Sequence, residues 1–169
     1  MKGNIAYLGL LLAFALILSY IEALIPFQFG IPGIKLGLTN LAVILCIYLI
    51  GYREALLLTL SKAVICGFLF GNLTMIFYSL SGAFFSCIIM VVMAKSGKFH
   101  LPVISAAGGV MHNIGQIAVA YLTVKTYGIL YYIPMLILSG LVTGILIGIA
   151  ATLVMPYIKK VIVKREGNL

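Results

Sequence analysis

The chain has 169 residues, of which 64% are hydrophobic and 8% charged, with a formal net charge of +8 and a mean hydropathy of +1.26. Soluble globular domains carry roughly 25% charged residues, so this composition excludes a soluble globule with a polar surface and leaves an integral membrane protein of one compact domain. Nor does the positive charge point to nucleic acid: Lys159, Lys160, Lys164 and Arg165 follow the last apolar run and the other basic residues lie mostly in short loops, a pattern that membrane topology explains.

Apolar runs interrupted by Pro, Gly and charge predict an all-α bundle of six transmembrane helices at about 5–26, 36–51, 54–70, 72–94, 101–123 and 129–156, with a basic tail over 157–169. The first run superficially resembles a secretory signal behind Lys2. From Ala6 to Ile25, however, it is long enough to span, and it lacks a small-x-small cleavage site at its end. Pro26 to Lys35, with Pro32 and Gly33, forms the first break, and Gly51 to Arg53 the second. The third run carries Lys62 near its middle, with Glu54 and Gly71 at its two ends. At about 1.5 Å per residue its Cα lies roughly 12 to 14 Å from either face of a hydrocarbon core about 30 Å thick. An ammonium there costs about 2.5 to 3.5 kcal/mol on insertion scales and by default marks function. Gly71 and Asn72 leave almost no loop before the fourth helix, Lys95 to Pro102 precede the fifth, and Lys125 to Gly128 the sixth.

Six spans put both termini on one side. With the termini inside, the inner face holds Lys2, Arg53, Lys95, Lys98, Lys159, Lys160, Lys164 and Arg165, against Lys35 and Lys125 outside, which predicts cytoplasmic termini in the plasma membrane. Tyr48, Tyr52 and Tyr157 then mark the inner interface, while Phe27, Phe29, Tyr127, Tyr131 and Tyr132 mark the outer one.

In that frame the intramembrane polar residues gather in the outer half. Glu22 lies about a turn from the end of the first helix and Asn40 about a turn into the second. His112, Asn113 and Gln116 lie mid to outer on the fifth, with His112 and Gln116 on one face. They predict an outward-opening polar pocket containing Glu22, Asn40, Lys62, Asn113 and Gln116, beneath Lys35. The competing reading is interhelical glue, with Glu22 paired to Lys62 and the amides bonded to backbone carbonyls; His112 fits either a pocket or a helix contact.

Small residues form a second pattern. Gly9 and Ala13, and Ala15, Ser19 and Ala23, repeat every four residues in the first helix, as do Gly140, Gly144 and Gly148 in the last. Such stripes permit close helix approach. Those in the last helix are read as internal packing; those in the first fit either packing or docking to another subunit.

Several chemistries are missing. No G-x-x-x-x-G-K-[ST] loop is present, so any ATP must be hydrolysed by another subunit. The chain has no Asp and three scattered Glu, which argues against a magnesium-dependent prenyl-diphosphate site. Cys46, Cys66 and Cys87 sit in apolar runs without metal or iron-sulfur spacing, and His100 and His112 do not make an intramembrane haem pair. Ser81-Gly82-Ala83 only weakly echoes a flavin-attachment sequence, because Phe84 stands where Ser or Thr is wanted. No catalytic residue, metal or cofactor is expected.

Two segments carry a resemblance: Ile31 to Ile44, reading IPGIKLGLTNLAVI, and Gly108 to Ala118, reading GGVMHNIGQIA. They look like the signature stretches of the Gx transporter family, labelled heptaprenyl diphosphate synthase component I, which is similar to the substrate-binding S-components of energy-coupling factor (ECF) transporters and implies an S-component-like bundle. The resemblance implies capture of a small polar or anionic solute near the outer face. It also implies docking on a transmembrane coupling subunit powered by two ATPase subunits, through first-helix small residues matched here by Ala15 and Ser19 or by Gly9 and Ala13. It favours Lys35, Asn40, His112, Asn113 and Gln116 as binding residues. The label also implies an accessory role in heptaprenyl diphosphate metabolism, and the family a role in flavin- or quinone-linked electron transfer.

Overall fold

A computed structural model of the protein describes residues 2–24, 37–125 and 127–166. All of its regular structure is helical: α1 (Lys2–Leu24), α2 (Thr39–Leu49), α3 (Tyr52–Phe70), α4 (Leu73–Ser96), α5 (Leu101–Val124), then a 3₁₀ segment (Tyr127–Tyr132) leading into α6 (Ile133–Glu166). The sequence-predicted segment containing Pro26, Pro32, Gly33 and Lys35 lies outside the described residues.

Each boundary has a local cause. Asn72 caps α4, its side-chain oxygen accepting the Met75 N–H at 2.9 Å. Pro102 stands in the first turn of α5, where its missing N–H costs nothing. Gly97 ends α4 in the left-handed region, at φ 67°. The last helix departs from expectation, since it runs through Pro156 to Glu166 instead of ending there, and the predicted tail is helical as far as Glu166. One proline removes one backbone donor, and Ile158 beyond it still packs against the core.

The centre of the bundle is α2. Seven of its eleven residues, Thr39 and Ala42 to Ile47, are buried, and it touches all five other helices. A helix apolar on every side belongs in an interior. By contrast, among the described residues α1 meets only α2 and α3, and 6% of its spanning window is buried.

The α4, α5 and α6 helices form an antiparallel layer, joined where glycines let backbones touch. A Cβ at Gly140 would lie 2.8 Å from Gly109 C, and one at Gly144 2.6 Å from Ala106 Cα, while Gly148 abuts Leu101 and Pro102. The last-helix stripe is therefore internal packing.

The exterior is apolar. Phe68, Phe77, Leu122, Leu146 and Leu153 are all exposed, a surface that only lipid or a partner covers at tolerable cost. By length and composition α1, α4, α5 and α6 are able to cross a bilayer. With 11 residues α2 is shorter than a lone span requires, and α3 carries Arg53, Glu54 and Lys62 in its 19 residues.

Candidate functional site: a polar cavity at one end of the bundle

Inside this apolar shell is a cavity of about 290 Å³, at the end where α1 and α3 finish and α2 and α4 begin. Each wall is one face of a helix. On α1 the face is Ser19, Glu22 and Ala23, and on α3 it is Thr59, Lys62, Ala63 and Cys66. On α4 Ser79, Ala83, Ser86 and Met90 recur at intervals of four, three and four, while α5 contributes Gly109, His112 and Asn113 and α6 Gly140, Thr143 and Gly144. Thr39, Asn40 and Val43 on α2 close the ring.

Burial runs from rim to floor. Phe70 and Met75 at the rim are exposed, whereas Thr59, Ala63, Ala83, Ser86 and Met90 are buried. The Tyr20 and Phe70 rings, 5.6 Å between centroids, join the ends of α1 and α3 beside the mouth.

The polar groups at the mouth are held in place. Gly37 N–H donates to Glu22 Oε1 at 2.6 Å, and Gly37 C=O accepts the Asn40 N–H at 2.9 Å. Gly37 adopts φ 68°, a conformation that penalises any Cβ. The carboxylate thus sits where α2 begins, against the positive end of its dipole. Lys62 Nζ donates to Thr39 Oγ1 at 3.0 Å, which fixes the ammonium at the mouth above its own Cα. Asn113 is buried and donates Nδ2 to Leu136 O at 2.7 Å, leaving its amide oxygen as an acceptor.

Five predicted binding residues, Glu22, Asn40, Lys62, His112 and Asn113, come together in the lining. Lys35 lies outside the described residues. Gln116 is not among the residues lining the cavity; it packs in the α4–α5 seam, where a Cβ at Gly82 would lie 2.9 Å from Gln116 Cγ and 3.1 Å from His112 Cε1.

The α1 stripes also separate. Ala15 is 0% exposed within the core and Ser19 lines the cavity, so neither is available to another subunit, whereas Gly9 and Ala13 face outward. Residues two apart on a helix point roughly 200° apart, so when the face bearing Ala15 packs on α2 and α3, the one bearing Gly9 and Ala13 turns away.

Sequence reasoning missed Thr39, Thr59, Ser79 and Ser86. The signal for the α4 pair was the 79-83-86-90 spacing of small and soft residues on one face. Among the described residues no group of three His, Cys, Asp or Glu side chains is placed to hold a metal.

A helical bundle with an apolar exterior and several helices long and apolar enough to cross a bilayer is that of a multi-pass membrane protein. The chain belongs to the heptaprenyl diphosphate synthase component I family, whose profile matches residues 11–154. No curated protein and no solved structure matches it.

Proposed function

We propose that this protein is the membrane-embedded solute-binding subunit of an ECF-type uptake system. All six helices cross the plasma membrane with cytoplasmic termini, and the cavity opens outward, opposite the end that carries Arg53, Lys95 and Lys98. A small polar or anionic solute binds at Lys62 and Asn40. The outward α1 face with Gly9 and Ala13 docks on a coupling subunit driven by separate ATPases; this chain performs no catalysis of its own.

The observation that carries the reading is the cavity itself. Interhelical glue would bury polar groups against one another and leave no space. Here Glu22, Asn40, Lys62, His112 and Asn113 surround about 290 Å³ of open volume, at the lower end of the size range of small-molecule sites.

The family's description favours a second reading, an accessory role in heptaprenyl diphosphate synthesis. Affinity isolation of the full chain from its native membranes separates the two. Uptake requires a membrane coupling subunit together with ATPase subunits, whereas recovery of a prenyl-diphosphate synthase in their place would overturn the uptake reading and establish the second.

A further inference from the structure

The cavity is chemically graded. Among the described residues, its lining contains one Lys and one Glu, Lys62 and Glu22, and both stand with Asn40 toward the mouth. The buried floor is Val43, Ala63, Ala83 and Met90 around two hydroxyls, Thr59 and Ser86. Below the mouth the one further basic side chain among the described lining residues is His112, so a compact polyanion finds no fixed countercharge on the Val43, Ala63, Ala83 and Met90 walls, where desolvating charge is expensive.

Ser86 differs from the helical threonines of the bundle. Thr59, Thr143 and Thr152 each donate to the carbonyl four residues earlier, at 2.7, 2.9 and 2.8 Å. Ser86 does not: it is 2% exposed and, among the described residues, its hydroxyl has no partner. Buried polar groups are nearly always satisfied, and alanine would fill the same place without an unmet donor. Ser19 and Ser105 also have unmet hydroxyls, but Ser19 stands near the end of α1, one turn from Glu22 at the mouth, and Ser105 lies outside the cavity, in the α5–α6 seam where its backbone meets Gly144 and a small side chain is needed. Ser86 lines the cavity, with its hydroxyl beside Gly108 of α5. Thr59, with its proton committed to Ala55 O, keeps lone pairs that accept.

We propose that the cavity takes a small amphipathic acid, its anionic group at Lys62 and Asn40 and an uncharged hydrogen-bonding end, a hydroxyl or carbonyl, seated on Ser86. The apolar middle of the molecule lies against Val43, Ala63 and Met90. This rests on the solute-capture reading and narrows it, setting aside inorganic phosphate and diphosphate as ligands.

The test uses the full chain purified in detergent, unmodified and as Ser86→Ala. The probes are a graded series of short straight-chain acids, each with and without a terminal hydroxyl, and inorganic pyrophosphate. At one chain length the hydroxylated acid should bind about tenfold more tightly than its plain counterpart, a preference lost in Ser86→Ala, with pyrophosphate weaker than either. No hydroxyl preference at any length, a preference that survives Ser86→Ala, or tighter pyrophosphate binding each overturns the proposal. Independently of any probe, Ser86→Ala should leave the unfolding midpoint of the solute-free protein unchanged or raised; a fall would mean that the hydroxyl is already satisfied internally, and overturns it too. If a cellular solute is retained through Lys62 but not Ser86, solute capture stands and only this assignment fails. Retention indifferent to both Lys62→Met and Ser86→Ala removes both.

Discussion

Replacing Lys62 with Met separates a binding ammonium from a structural one, because the two roles predict stability changes of different sign. If Lys62 were glue, its removal would break a buried polar contact, at about 3 to 5 kcal/mol. At roughly 2 to 4 °C per kcal/mol for a chain of this size, the unfolding midpoint would fall by about 6 to 20 °C. If Lys62 serves a solute, its charge is a burden to the empty protein, since a lysine at mid-span costs about 2.5 to 3.5 kcal/mol on insertion. One bond it makes, to Thr39 Oγ1 at 3.0 Å, is to a hydroxyl able to rotate to another acceptor. Lys62→Met should therefore insert at least as well and melt no lower than the unmodified protein when solute-free. Loss of one charge-assisted hydrogen bond, about 1.5 to 3 kcal/mol, should weaken binding of the co-purifying solute by about 10- to 150-fold, with Lys62→Arg intermediate. Thermal unfolding in detergent, with and without that solute added back, gives both readouts. A midpoint lowered by 6 °C or more, by the estimate above, with solute affinity unchanged, would refute the reasoning.

Other perturbations address the frame around the cavity. Gly144→Ala places a methyl 2.6 Å from Ala106 Cα, and since backbone cannot step aside the seam must open, at about 1 to 3 kcal/mol; Gly9→Ala, with nothing within 4 Å, should leave the midpoint unchanged. Glu22→Gln weakens the acceptor of Gly37 N–H, and amide exchange at Gly37 should accelerate several-fold while exchange in the middle of α2 stays constant. In the uptake reading, leucine at Gly9 and Ala13 together should abolish recovery of a coupling subunit and spare solute retention, whereas Ala15→Leu, aimed at a fully buried position, should lower stability and retention alike. If the Gly9 and Ala13 pair has no effect on recovery, the docking face lies elsewhere.

The helices were legible because long apolar runs are separated by short breaks in which charge joins Pro or Gly, as at 51–53, 95–102 and 125–128. The continuation of α6 through Pro156 ran against that punctuation, and the packing of Ile158 on the core explains it. Glu22, Asn40, Lys62 and Asn113 were legible because polar groups in apolar runs must converge on something. Hydroxyls were not: a serine or threonine in a helix can satisfy itself on the preceding turn, as Thr59 does, so its presence in the sequence does not show which way it faces. Gln116 shares a face with His112, yet the space that takes it is made by Gly82 on a different helix. Both α1 stripes permit close approach, and only the contacts with α2 and α3 decide that Ala15 goes inward.

Mass spectrometry of the small molecules retained by the gently purified full chain, with Lys62→Met purified in parallel, tests solute capture most directly. A small polar or anionic compound enriched in the unmodified protein and lost from Lys62→Met is the predicted result. The same ordinary lipids in both, with no compound that depends on Lys62, would contradict it.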